Sequence, residues 1–277
     1  MDMSQYFHSH LSDILFSRQA GILVREIANY ISELGITHWP CVIAGGTCRL
    51  FKLTYISSDP RFIDFNFTPS DPAYALIAGD PLLPEQQACI SESRVVHASV
   101  DPTIPKTDKF SSENDGEEAV DPDRVITNAR MATETDGLLF IAELQALYEG
   151  VQLRSVYDVG LRQSKIYAQN PYKTFGNRFS LSPSRRGSCE PEYTSYAHYW
   201  KTVLGEFVVY LTLNGNSDLL ASDYIFVLDD KDSRCQILSL LAPHHSENLE
   251  PGLPQQGVCG SDHISLGAEL FWRSIGN

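Results

Sequence analysis

Residues 151–188, the basic segment, combine basic and aromatic side chains, which together can bind phosphates and stack on rings. The segment has a single acidic residue, Asp158, in a chain whose net charge is -14 at pH 7. Its basic residues are Arg154, Arg162, Lys165, Lys173, Arg178, Arg185 and Arg186, and its aromatic residues are Tyr157, Tyr167, Tyr172, Phe175 and Phe179. We predict a binding protein whose basic segment contacts an anionic small molecule or an acidic protein partner, with Tyr172 and Phe175 among the contacts.

An intramolecular role for the basic segment is the alternative. Residues 101–124, the acidic segment, contain few apolar residues and many acids, prolines and serines, which is typical of a solvated loop or a disordered insertion. Opposite charges favour a position of the acidic segment near the basic one. In that case the local reversal of charge requires no ligand.

A second candidate site is a Gly-Gly-Thr sequence, Gly45-Gly46-Thr47, which follows a β-prone run and precedes Asp64 in an alternating apolar run. Glycine lets backbone N–H groups approach a phosphate, and carboxylates bind the hard Mg²⁺ ion. This order of parts resembles the minimal nucleotidyltransferase pattern. The resemblance implies that the three residues bind a triphosphate and that Asp64 binds magnesium, although Asn66 stands where the second carboxylate is expected. The alternative is a plain hairpin turn, with Asp64 on the solvated face of a strand.

The histidines and cysteines form no complete motif. Neither His8 and His10 nor His244-His245 has the spacing of a zinc site, and exposed histidines are the expected result. The six cysteines contain no CxxC pair, which favours reduced thiols. Cys259 is the first candidate for a nucleophile, because a helix predicted just after it would lower its thiol pKa. An inert thiol in a turn is the alternative.

The predicted strands occur in adjacent runs rather than alternating with helices. This order predicts that an antiparallel α+β fold positions the candidate residues. We expect one domain over residues 1–277, with the acidic segment as an insertion. The predicted order is an amphipathic helix at 18–34 with Ser17 and Gly35 as its caps, a three-stranded meander at 39–67, an irregular proline-rich stretch at 69–86, a strand at 94–96, helices at 136–149 and 196–213, a hairpin of 224–228 with 236–241, and a C-terminal helix at 261–276.

The composition excludes several classes of protein. With 43% hydrophobic and 20% charged residues, the chain has enough apolar material for a sizeable core. Its negative charge opposes general binding to nucleic acid or to an anionic membrane. No run approaches the roughly 20 apolar residues that span a bilayer, and the N-terminus lacks the pattern of a secretory signal. We therefore expect a cytoplasmic or nuclear protein, and magnesium only if the nucleotidyltransferase resemblance holds.

Overall fold

The structure is a computed structural model, and it describes residues 13–36, 39–45, 65, 67–97, 129–164, 174, 177–196, 219–229, 233–250, 252–257 and 259–274. Its helices are α1 (Asp13–Glu33), α2 (Pro72–Ala78), α3 (Pro84–Glu92), α4 (Ile141–Leu147) and α5 (Val156–Gln163). Its strands are β1 (Cys41–Gly45), β2 (Val95–His97), β3 (Ala129–Met131), β4 (Leu153–Ser155), β5 (Ser195–Tyr196), β6 (Leu219–Leu220), β7 (Tyr224–Leu228), β8 (Ser233–Leu240) and β9 (Ala268–Ser274). Helices and antiparallel sheets together confirm the predicted α+β class.

Helix α1 is the predicted N-terminal helix, and it begins earlier than expected. Ser17, predicted as the N-cap, lies inside the helix and is buried. Gly35 ends the helix as predicted: its φ is 63°, in the left-handed region that glycine adopts without strain. The Ile36 N–H donates to the Ile31 carbonyl at 3.1 Å, which closes the capping turn.

The proline-rich stretch is not irregular, which corrects the prediction for residues 69–86. Helices α2 and α3 both begin there, with Pro72 and Pro84 as their first residues. Proline suits this position because the N–H that it lacks would have no acceptor within the helix. Every residue of α2 is buried, so α2 forms part of the main core.

The central sheet has the order β1-β7-β4, and all its pairs are antiparallel. Phe226 on the middle strand is fully buried, opposite Ile43 on one side and Ser155 on the other. Its ring packs in a cluster with those of Phe65, Phe67, Tyr74 and Tyr224. The first strand of the predicted meander is therefore present as β1. Most of the rest of that meander lies outside the described residues.

Two predictions for the last quarter of the chain are wrong. Strand β7 does not form a hairpin with β8, because β7 pairs with β1 and β4 while β8 pairs with β9. The predicted C-terminal helix is strand β9. Its residues alternate: Glu269, Phe271 and Arg273 are exposed, while Ala268, Leu270 and Trp272 pack against buried side chains. That period of two belongs to a strand with one buried face.

The chain on the two sides of the acidic segment meets in a small sheet. Strand β2, predicted at 94–96, pairs with β3, so that Val95 lies opposite Met131 and His97 opposite Ala129. The acidic segment itself lies outside the described residues, and the single domain stays a prediction.

The helix predicted at 136–149 is the shorter α4, and the one predicted at 196–213 begins in β5 and otherwise lies outside the described residues. None of the described helices combines the length and the apolar character needed to cross a membrane.

Candidate functional site

Arg154, the first arginine of the basic segment, joins three strands. It lies on β4, and its guanidinium donates to both carboxylate oxygens of Asp229, each at 2.8 Å. The same group donates to the Cys235 carbonyl on β8 at 2.7 Å. Asp229 directly follows β7, so this bidentate pair fixes the ends of β4, β7 and β8 together.

Arg162 holds the loop at residues 182–188 against α5. Its guanidinium donates to Asp158 Oδ1 at 3.0 Å and to the Arg185 carbonyl at 2.8 Å. It also donates to the Pro183 carbonyl and to the Ser188 hydroxyl. Because these acceptors lie on both the helix and the loop, the guanidinium has a structural role.

Arg178 bridges two buried carboxylates. Its Nη1 lies 2.7 Å from Asp13 Oδ2, and its Nε lies 3.2 Å from Asp71 Oδ1. Burial raises the pKa of the Asp71 carboxyl, and the adjacent guanidinium opposes that rise. The Arg178 backbone N–H donates to the Ser70 hydroxyl at 2.9 Å. Arg178 thus ties the basic segment to the start of α1 and to the chain just before α2.

Arg185 and Arg186 share one carboxylate, that of Asp80. Their Nε atoms lie 3.6 and 3.7 Å from it, and the Arg186 backbone N–H donates to it at 2.9 Å. Each described arginine of the basic segment therefore has an aspartate of the same chain within 4.0 Å, and none of these aspartates belongs to the acidic segment. The predicted anion-binding surface stays a prediction, and its other members lie outside the described residues: Lys165, Lys173, Tyr172 and Phe175.

The nucleotidyltransferase resemblance also stays a prediction. Gly45 is the last residue of β1 and pairs with Tyr224. Gly46, Thr47 and Asp64 lie outside the described residues. Within the part of the chain that the structure describes, no group of three or more acidic, histidine or cysteine side chains could hold a metal ion.

Strands β8 and β9 place two arginines side by side, which the sequence did not reveal. Arg234 and Arg273 are directly opposite in the register, so their Cα atoms are about 4.5–5.5 Å apart. Both are exposed, because the neighbouring pair, Cys235 and Trp272, faces the buried cluster. Among the described residues, no carboxylate forms an ion pair with either guanidinium. Like charges directly opposite destabilise a ladder, so nothing internal to the sheet explains the pair.

The next pair on the same face supplies an amide and an aromatic ring. Gln236 lies opposite Phe271, whose side chain is 49% exposed. Farther along, Glu269 accepts a hydrogen bond from the Ser239 hydroxyl at 3.1 Å. Glu269 lies four positions before Arg273 on the strand, about 13 Å at 3.3 Å per residue, so its carboxylate does not neutralise the arginines. We call Arg234, Gln236, Phe271 and Arg273 the β8–β9 face.

Cys259 lacks the environment predicted for a nucleophile. Strand β9 replaces the helix that was expected to lower its thiol pKa. Its thiol lies 3.7 Å from the carbonyl oxygen of His263, and the ring of His263 contacts Asp223 at 2.9 Å. His244 and His245 are exposed, as predicted.

No protein-family model, curated protein or solved structure matches this chain.

Proposed function

We propose that the protein binds a ligand that carries a phosphate or carboxylate next to an aromatic or apolar group, and that the β8–β9 face is the binding site. The observation that carries the proposal is the directly opposed pair of Arg234 and Arg273, which has no carboxylate partner among the described residues. The proposed ligand has the anionic character that the sequence predicted, but the proposed site is the β8–β9 face and not the basic segment.

Two guanidinium groups held on adjacent strands suit an anion well. Each offers several N–H donors in a planar fork that matches the oxygens of a phosphate or carboxylate. A bound anion also removes the repulsion between the two cations. Because both arginines are exposed, salt weakens the interaction, and we expect millimolar affinity for a small ligand.

Phe271 gives the site a preference for an anion attached to a ring. It lies two residues from Arg273 on the same face, a distance of about 7 Å along the strand. That spacing lets a ligand place its ring on Phe271 and its anionic group on the arginines. Stacking of a ring on an aromatic side chain contributes about 1–3 kcal/mol.

Calorimetric titration with phenyl phosphate and inorganic phosphate at low ionic strength tests the proposal. We expect phenyl phosphate to bind more tightly than phosphate, and Phe271→Ala to remove that difference. Arg234→Gln or Arg273→Gln is expected to reduce the affinity for both ligands about tenfold, which corresponds to roughly 1.4 kcal/mol of binding free energy.

Arg186→Gln is the matched control, because Arg186 is the most exposed paired arginine of the basic segment, with 46% of its side chain exposed. It is expected to leave both affinities unchanged. Weaker binding in Arg186→Gln together with normal binding in Arg273→Gln would place the site on the basic segment instead. Binding that none of these variants alters would contradict both locations.

A magnesium-dependent nucleotidyltransferase is the second candidate, and the position of Gly45 at the end of β1 in the central sheet favours it. A thermal-shift screen with nucleoside triphosphates tests it, since a ligand specific to the folded state raises the melting temperature. The expected result is a magnesium-dependent rise that Asp64→Ala abolishes. A rise that persists in Asp64→Ala, or no rise in the parent protein, would reject this candidate.

A further inference from the structure

The apolar face of helix α1 extends beyond the residues that are fully buried in the main core. Val24 and Ala20 are buried in the main cluster, whereas Leu23, Ile27 and Ile31 are only partly buried. These three residues recur at i, i+4 and i+8, so they lie on one face of the helix. Ile27 packs against the main core, but none of the three is fully buried, so this edge of the apolar face is left partly exposed.

The partly exposed edge of α1 forms one side of a groove. After the turn at Gly35, the Trp39 N–H donates to the Ile36 carbonyl at 2.9 Å, and β1 then forms the opposite side. The groove, here called the α1–β1 groove, has a volume of about 660 Å³. Small-ligand sites have volumes of about 300–1,000 Å³, so the groove is large enough for one small molecule.

Two exposed aromatic side chains line the groove. Tyr30 and Trp39 both line it, and each is 61% exposed, more than any other large hydrophobic residue that the structure describes. Aromatic faces attract cations through the negative charge density of the ring, with tryptophan the strongest. A groove that offers both rings therefore favours a positively charged group.

The charge of the groove favours the same kind of ligand. Glu26 is the one charged residue in the described lining, and it lies four residues before Tyr30 on the same helix face. The neighbouring Arg25 forms no ion pair with it among the described residues, and the Arg25 guanidinium donates to the Ala146 carbonyl on α4 at 2.7 Å. A carboxylate and two aromatic rings beside an apolar wall match an ammonium group on an apolar body.

We propose that the α1–β1 groove binds an amphiphilic organic cation. The apolar body lies against Leu23, Ile27 and Ile31, and the cationic group lies near Glu26 and the two rings. This site does not depend on the β8–β9 face, and its ligand has the opposite charge.

Calorimetric titration with octyltrimethylammonium, octanol and tetramethylammonium tests the proposal, because the three probes separate the chain from the charge. We expect octyltrimethylammonium to bind about three- to tenfold more tightly than octanol, a difference of the size that a cation gains from one carboxylate and aromatic faces. Tetramethylammonium, which has no chain, is expected to bind most weakly.

Four variants assign the effect to the groove. Glu26→Gln is expected to reduce the preference for octyltrimethylammonium over octanol without changing the affinity for octanol. Trp39→Ala is expected to weaken both. Glu33→Gln and Leu15→Ala are the matched controls on α1, because both residues are exposed and neither lines the groove. They are expected to change neither affinity.

Equal affinity for octyltrimethylammonium and octanol, or no binding of either, would overturn the proposal. So would a preference for the cation that Glu26→Gln leaves undiminished. Arg273→Gln is expected to leave all three affinities unchanged, so failure at the groove is distinguishable from failure of the β8–β9 face.

Discussion

Burial favours the protonated form of Glu190 in the folded protein. Its side chain is 1% exposed, and burial raises its pKa from the ordinary value of 4.5 to about 8. The nearby charge of Asp158 adds to this rise, while the hydroxyls of Ser155 and Tyr74 and the charge of Arg162 oppose it. The Tyr74 hydroxyl donates to Glu190 Oε1 at 2.5 Å.

This raised pKa makes the stability of the protein depend on pH. Between pH 4.5 and about 8, the folded chain retains a proton that the unfolded chain has released. The contribution of Glu190 to stability is therefore fully present below pH 4.5 and is lost as the pH rises to about 8. The loss is about 1.4 kcal/mol per pH unit, and on the order of 4 to 5 kcal/mol over the whole interval.

The substitution Glu190→Gln isolates this contribution because it preserves the shape of the side chain and cannot ionise. The new amide N–H₂ changes the free energy of unfolding by a constant amount, about 1–3 kcal/mol if it finds no acceptor. The stability of Glu190→Gln relative to the parent protein is then expected to rise with pH, by about 1.4 kcal/mol per unit between pH 5 and 7.5, and to level off above pH 8. Urea unfolding at a series of pH values measures it.

Glu33→Gln is the control, because it makes the same chemical change at an exposed position. A Glu190→Gln difference that is constant from pH 5 to 8 would refute the reasoning, because it would mean that Glu190 has the same pKa in the folded and unfolded chains.

Two further substitutions test the packing around the basic segment, both by urea unfolding. Gly187→Ala is expected to destabilise the fold by about 1–3 kcal/mol, because its φ is 83° and an added Cβ would lie 2.6 Å from the Tyr74 ring; Gly137→Ala, with a similar φ but open space around it, is expected to cost less, and equal costs would contradict the clash. Arg178→Met is expected to cost about 3–5 kcal/mol, because Asp13 and a second buried carboxylate lose the guanidinium that they share, and a cost below 1 kcal/mol would contradict that role.

Local patterns located several elements correctly. The apolar spacing of α1 and the glycine that caps it depend on residues within a few turns of each other, and both are present in the structure. Strands β2 and β7 also fall where β-prone residues predicted them. The prediction of an irregular stretch at 69–86 was wrong because proline breaks a helix only in its interior. At the first position of α2 and α3 it favours the helix.

The pairing of strands was not predictable in the same way. β-Propensity shows that a segment is extended, but contacts with distant segments decide which strands pair. Strand β7 has partners from residues 41–45 and 153–155, both far from it in the sequence. The 3–4 spacing of Ala268 and Phe271 fits a helix equally well, and only the partner β8 selects the strand.

The candidate sites depended on the same long-range contacts. The reversal of charge in the basic segment is visible in the sequence, but its aspartate partners are scattered along the chain, as with Arg178 and Asp13. The two arginines of the β8–β9 face are isolated in the sequence and become neighbours only through the register of the two strands. A charge pattern in the sequence therefore identifies residues that need partners, while the fold decides whether those partners are internal.

The free energy of unfolding of Arg273→Gln, with and without phenyl phosphate, tests the β8–β9 face most directly. Without ligand, the variant is expected to be as stable as the parent protein or more stable by about 0.2–1 kcal/mol, because it removes a like-charge pair. With saturating phenyl phosphate, the parent protein gains stability by mass action and becomes the more stable of the two. Equal stabilisation of both proteins by phenyl phosphate, or none of the parent protein, would contradict the proposed site.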